Sequence, residues 1–379
     1  VLEIKTGLFL GITIDGQDYP MEKNGFQKLV LVSNKRMSTA TCELTFADIS
    51  DKINTEVTLA DGVPLVIKLG RSIDDYDVYT YRVYSYKRIP ASTTVQYTVL
   101  GYFDAPKWFL EAWKKPIEGC SRVAISKLAA DCGLKADCDV TNDDMIWMPG
   151  NERTCMFARS IAERGYLDDK SCMAIGMTLD GTFKYKNLTL LPTTGKLFTH
   201  GNVPGTANVI DVKHLTSSGY GNSIGGYQHL VRPQLIREFK DKIDQLDVKR
   251  KTQTLQLNRE VKGMIAKGRI DYGDIDGGNV HCNWDKARYQ NLRTAMIYSM
   301  GVEILMEVRS PIEFDLFSPF LYEPYDPPAQ GEVRLAEQYR SLYYVTAKAI
   351  YIEQGTYYEK IQGYTTGINK DPDGKGSQE

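Results

Sequence analysis

The sequence predicts a mainly β protein with α+β insertions: two related β-barrel domains and a helix–hairpin α+β module. Three observations predict it. The first hundred residues are short, strand-like segments separated by turn residues. Helical spacing then appears twice, and strands return near the end. The two strand-rich ends also carry a similar Tyr-rich hairpin.

In chain order, "LFLGITIDG", "LVLVSN", "ATCELTFADI", "VPLVIKLG", "VYTYRVYSYKRI" and "VQYTVLGYF" are rich in β-branched and aromatic residues. In "TCELTF", Cys42, Leu44 and Phe46 share one face, opposite Glu43 and Thr45. Such a run suggests a sandwich or barrel, and with the hairpin repeat described below residues 1–105 read as a first β-barrel. Residues 106–205 form the α+β module. In "SRVAISKLAADCGL", Val123, Ile125, Leu128, Ala129 and Cys132 recur at helical spacing, with Ser121 as N-cap and Gly133 as stop. In "TCMFARSIAERG", Thr154 is the expected cap, and Met156, Phe157, Ser160 and Ile161 form the face. Asp180-Gly181 in "MAIGMTLDGTFKYKNL" signals a hairpin.

Residues 206–234 and 301–367 read as the second barrel, interrupted by an insertion over 235–300. That insertion holds a charged stretch and a helix, "DKARYQNLRTAMIYSMG", with Tyr289, Leu292, Ala295 or Met296, and Met300 on one side and Gly301 after it. Residues 368–379 read as a flexible tail with almost no apolar side chains, whose removal is expected to leave assembly intact. The barrels are related because "TYRVYSYKRIPASTTVQYTVLGY" and "YYVTAKAIYIEQGTYYEKIQGY" share one layout. Thr94, Val99, Gly101 and Tyr102 align with Thr356, Ile361, Gly363 and Tyr364. Each hairpin follows a similar strand, "VPLVIKLG" in one case and "VEILMEV" in the other.

Composition narrows the function. The 379 residues are 42% hydrophobic and 25% charged, with a formal net charge of -2. That balance gives no global field favouring nucleic acid or an anionic membrane. No apolar run approaches the ~20 residues of a membrane span. The start alternates like a strand rather than a signal peptide, and its first residue is Val, not Met. Seven scattered cysteines fit free thiols better than a disulfide framework.

The search for reactive groups yields no catalytic, cofactor or metal residue. Cys132 with Cys138, and His281 with Cys282, lack the spacing of structural zinc sites. His200, His214, His229 and His281 sit in no nucleophile context. Glu163, Asp168, Asp169 and Asp180 surround the helix–hairpin unit, so a glycoside hydrolase acting on cell wall is weighed, but Asp180 is explained by its turn. "GYGNSIGG" lacks the strand–loop–helix setting of a phosphate cradle. Lys249, Arg250 and Lys251 are flanked by Asp244, Asp247 and Glu260 and read as a solvated face.

Three stretches carry a family resemblance. "TCMFARSIAERG" leading into "AIGMTLDGTFKY", then "RTAMIYSMGVEILMEV", then "LYYVTAKAIYIEQGTYYEKIQGYTTG" follow one another in order. The sequence resembles the baseplate hub protein of contractile-tailed bacteriophages and the matching N-terminal part of type VI secretion valine-glycine-repeat spike proteins. The resemblance implies a scaffold and not an enzyme. It implies a homotrimer with six barrel units in a ring, joining a six-fold tail tube to a three-fold spike and leaving a channel for DNA. The implied partners are the tail tube protein, the central spike protein, the tape-measure protein and baseplate wedge or sheath components. The implied location is the virion tail tip, assembled in the host cytoplasm. A tail-associated peptidoglycan hydrolase, or a tail-tube or receptor-binding β-barrel protein, are the alternatives.

Overall fold

The computed structural model describes residues 2–3, 8–21, 24–35, 38–91, 94–168, 171–192, 195–200, 209–216, 240–241, 270–271, 281, 283–284, 287–288, 291, 300–307, 314–326, 334–336 and 339–365. Most of the charged stretch and the tail therefore lie outside the described residues.

The chain is mainly β. Its first part contributes β1 (Phe9–Ile14), β2 (Phe26–Asn34), β3 (Thr41–Asp48), β4 (Pro64–Ser72), β5 (Asp75–Pro90) and β6 (Val95–Phe103). Helices α1 (Ser121–Asp131) and α2 (Thr154–Glu163) and the hairpin β7 (Met173–Met177) and β8 (Phe183–Asn187) follow. The last part contributes β9 (Val209–Thr216), β10 (Met300–Glu307), β11 (Pro319–Asp326), β12 (Ser341–Glu353) and β13 (Thr356–Thr365).

Both strand-rich parts belong to one curled 15-stranded sheet. The first half runs β1-β4-β5-β6-β3-β2, and the second runs β11-β12-β13-β10-β9. They join where β2 pairs antiparallel with β12, from Asn34 opposite Ala347 to Lys28 opposite Glu353. Alternation places Cys42, Leu44 and Phe46 of β3 in the first core. That core crosses the junction, because it also contains Ile350, Ile352 and Tyr357.

The two halves are built alike in detail. Five strands, β2 to β6, recur as β9 to β13 in the same chain order and the same sheet order. Each half has a bulge at the same place in the hairpin. Val83 pairs with Gly101 and then Ser85 with Leu100, leaving Tyr84 extra; Val345 pairs with Gly363 and then Ala347 with Gln362, leaving Thr346 extra. A second bulge also recurs, at Gln27 between β2 and β3 and at Ile210 between β9 and β10. Before β4, Gly62 has φ 79°, and before β11 Phe317 has φ 68°. The amides of both donate 2.8 Å bonds to the matching carbonyls, those of Val83 and Val345.

This corrects one sequence expectation. The counterpart of "VPLVIKLG" is not "VEILMEV". Pro64 pairs with Arg82 as Pro319 pairs with Tyr344, so β4 matches β11. The described part of "VEILMEV", residues 302–307, lies in β10, which pairs with β13 as β3 pairs with β6.

The helices also depart from the simple reading. Both start one residue early, with Cys120 and Arg153 at the N-cap positions and no side-chain cap from either. Val123 (49% exposed) and Met156 (44% exposed) point outward. The buried face of α2 is Cys155, Phe157, Ala158, Ile161 and Ala162. Both helices bury small residues beside the large ones: Ala124 and Ala129 of α1 and Ala158 and Ala162 of α2 join Ile125, Leu128, Phe157 and Ile161 in one core. Of the helix expected after residue 285, helical residues are described at 287–288 and 291, and Met300 instead opens β10.

Candidate functional site

Among the described residues, the acidic groups weighed for chemistry are engaged locally. Glu163 ends α2 and accepts from Arg159 Nε at 3.1 Å, one turn back. The carbonyl of Asp168 accepts from Ser171 Oγ at 2.8 Å. Asp180 sits in the β7–β8 turn, where Thr178 and Thr182 donate to its carboxylate. Desolvation pushes that carboxyl up, but the Thr178 and Thr182 hydrogen bonds outweigh it and leave Asp180 below its ordinary value. Asp169 lies outside the described residues.

His281 is buried among Tyr166, Trp147 and Trp284, and its Nε2 lies 3.1 Å from the Arg164 carbonyl. Cys282 and His229 are outside the described residues, and of His200 and His214 only the strand backbone is described. Cys132 and Cys138 are free thiols. Burial, with Asp131 and Glu111 nearby, pushes Cys132 up to about 11, and burial also raises Cys138. Neither is a thiolate nucleophile at neutral pH. Among the described residues no group of three or more His, Cys, Asp or Glu is placed to hold a metal ion. "GYGNSIGG" and Lys249–Lys251 lie outside the described residues.

The helix–hairpin unit has a mechanical placement instead. Leu179, in its turn, enters the first core. A Cβ on Gly181 would fall 1.9 Å from the Phe103 ring, so the turn packs hard on β6. A Cβ on Gly176 would lie 2.6 Å from Leu316 Cδ1 and 3.3 Å from the Asn34 carbonyl oxygen. Leu316 precedes β11 of the second half, and Asn34 ends β2 of the first. Lys184 of β8 pairs with Asp315 at 2.6 Å and donates to the Leu316 carbonyl at 3.3 Å. The hairpin thus lies across the junction and touches both halves.

Two residues that the sequence did not single out fix this unit internally. Buried Asp143 accepts from the Ser121 and Tyr166 amides, both at 2.8 Å, and so serves the start of α1 and the segment after α2. Buried Asn291 donates to the Gly165 carbonyl at 2.9 Å and accepts from the Met173 amide at 2.9 Å, so α2 is tied to β7.

Two stretches of the large sheet, one in each half, are paired on one side only among the described residues. Beyond its bulge, β5 pairs only with β6, and every residue from Tyr84 to Pro90 is exposed. Tyr84 (57%), Tyr86 (45%) and Ile89 (39%) put apolar surface there. An open cleft of about 370 Å³ lined by Ile53, Leu59, Tyr86, Arg88 and Tyr97 runs beside them. At the far end of the sheet, β9 pairs only with β10. No described helix is long and apolar enough to cross a membrane.

No protein-family model matches the sequence, and no curated protein sequence matches it. Solved structures do. The fold is similar to the tail protein from Neisseria meningitidis MC58, with a TM-score of 0.60 at 10% identity, over 96% of this chain and 98% of that one. It is similar to the 43 kDa tail protein of prophage MuSo2 from Shewanella oneidensis, with a TM-score of 0.57 at 11% identity, over 94% of this chain and 98% of that one. It is also similar to an E. coli component of the type VI secretion system, itself described as structurally similar to T4 bacteriophage tail proteins, with a TM-score of 0.51 at 8% identity, over 93% of this chain and 76% of that one. The chain therefore has the fold of phage tail proteins and of a type VI secretion component.

Proposed function

We propose that this chain is the structural hub of a phage tail baseplate. Three copies form a ring of six half-barrels that adapts a six-fold tail tube to a three-fold central spike. The observation that carries this reading is the internal repeat. A chain with two like halves, β2–β6 and β9–β13, offers six similar units when three copies assemble, while repeating as a whole only three times. The likeness in fold to tail proteins over nearly the whole chain supports the same reading.

The hub has no active site in this reading, and Glu163, Asp168 and Asp180 serve local structure. Its partners are the tail tube protein, the spike protein, the tape-measure protein and wedge or sheath components, within a virion assembled in the host cytoplasm. Its channel lets DNA pass without gripping it. Each Lys or Arg contact to phosphate releases a counterion and adds affinity, so a dense basic lining would retard the genome. The Lys249–Lys251 cluster accordingly belongs away from the lumen.

Mass photometry and negative-stain imaging of the purified chain test the proposal. A trimer with ring-shaped top views, and no lysis of cell wall, is expected. A monomer at all concentrations, or wall-degrading activity, would overturn it.

A further inference from the structure

The repeat also specifies how one copy meets the next. The junction inside the chain has two participants: the part of β12 beyond its bulge, and β2. Each has a counterpart in the other half. The counterpart of that part of β12 is Ser85–Pro90 of β5, and the counterpart of β2 is β9. Within the chain these two counterparts do not pair with each other. Among the described residues each of them is paired on one side only.

We propose that the exposed edge of β5 in one copy pairs antiparallel with β9 of a second copy, repeating the internal junction between β2 and β12. The proposal rests on the ring reading above and gives it a residue register. Transferring the internal pairs Lys348–Ser33, Ala349–Val32, Ile350–Leu31, Tyr351–Val30 and Ile352–Leu29 gives the seam. Tyr86 lies opposite Thr216, Lys87 opposite Leu215, Arg88 opposite His214, Ile89 opposite Lys213 and Pro90 opposite Val212.

Three features of β5 fit this occupant. Its backbone is correctly turned. The Ala91 amide donates to Thr94, so the odd-numbered amides face β6, and those of Tyr86 and Arg88 face outward. Its side chains are those of an uncovered seam. Ile350 and Ile352, in the internal junction, are fully buried with Leu29 and Leu31, whereas their counterparts Arg88 and Pro90 are exposed and Arg88 lines an open cleft. Finally, Pro90 stands where a third outward amide would be. A proline on an edge blocks a generic incoming strand and leaves a short, register-specific stretch to the right one.

The seam is head-to-tail, since β5 meets β9 and never another β5. Such contacts generate a ring when the rotation closes.

Disulfide trapping on the full-length chain tests it. Ile89 and Lys213 form a non-hydrogen-bonded pair in this register, with Cα atoms expected about 4.5 Å apart, within disulfide reach. Both side chains are exposed, so Ile89→Cys with Lys213→Cys is compatible with folding. Mild oxidation should give covalent dimers and trimers on a non-reducing gel at ten or more times the wild-type amount. Arg88→Cys with Lys213→Cys, out of register by one, should stay at the wild-type level. Co-expressed single variants should cross-link to each other but not to themselves. A particle that is trimeric by mass but not trapped by the in-register pair would overturn the seam and leave the hub reading intact. A disulfide closed within one monomer would overturn the seam as well. A wild-type chain that stays monomeric would overturn both.

Discussion

Asp180 shows how a residue weighed for catalysis becomes structural. Its carboxylate holds the β7–β8 turn through Thr178 and Thr182, and Gly181 supplies the left-handed backbone at φ 85°. Because the folded-state pKa is lowered, the ionised form stabilises the fold above the ordinary carboxyl value of 3.8. That contribution is lost as the pH falls through the folded-state pKa. The melting temperature of Asp180→Asn should therefore lie below wild type at pH 7, and the gap should close as the pH falls below 3.8. A gap that persists at low pH would mean that the amide disturbs the turn for another reason. Asp143 and Asn291 show what sequence reading misses at this scale. "TNDDM" and "RYQNL" carry no signal that one Asp serves two distant amides, or that one Asn ties a helix end to a strand. Those partners lie far apart in sequence, and a local pattern records only the neighbours of each residue.

Among elements, the repeated hairpin was legible because its aligned positions carry a steric demand. A Cβ on Gly363 would fall 2.5 Å from Phe320 Cζ and 3.2 Å from Tyr343 Cβ. A Cβ on Gly101 would meet Arg82 O at 3.2 Å and Tyr81 Cβ at 3.3 Å. Tyr81 and Tyr343 are themselves counterparts, each buried. Gly363→Ala should cost about 1–3 kcal/mol in urea unfolding, and Gly101→Ala less, because only Gly363 faces a buried ring at clashing distance. Equal costs would show that the two sites relax alike. The strand preceding the hairpin was misassigned for a physical reason. "VEILMEV" and "VPLVIKLG" share an apolar run, but an apolar run specifies burial and not a hydrogen-bonded neighbour. The helix faces failed similarly: Ala124, Ala158 and Ala162 are buried, and larger Val123 and Met156 are left outside.

At the level of the whole molecule, the helix–hairpin unit bridges the two halves. Gly176 is a tight point of that bridge that faces both halves, close to Leu316 on one side and Asn34 on the other. Gly176→Leu should lower the melting temperature and speed protease cleavage of the folded chain, since the added side chain has no space at the junction. Unchanged protease resistance would show that the hairpin rests on the halves without holding them. Two strand-rich ends and a mixed centre were legible from periodicity and turn residues. The fusion of both halves into one sheet was not, because edge pairing between β2 and β12 joins segments from opposite ends of the chain. No side-chain pattern within either segment names the other.

That fusion has a consequence in mass action. Were each half a separate polypeptide, every junction of a closed ring would form by collision, and assembly would depend on concentration through all of them. In the proposed ring every second junction would form as the chain folds, at an effective concentration set by the covalent connection and not by the amount of protein present. In the proposed trimer, three of the six junctions are then complete before any encounter. The ring would fall apart on dilution as the third power of chain concentration and not the sixth. A particle built in few copies per cell would gain most from that lower order.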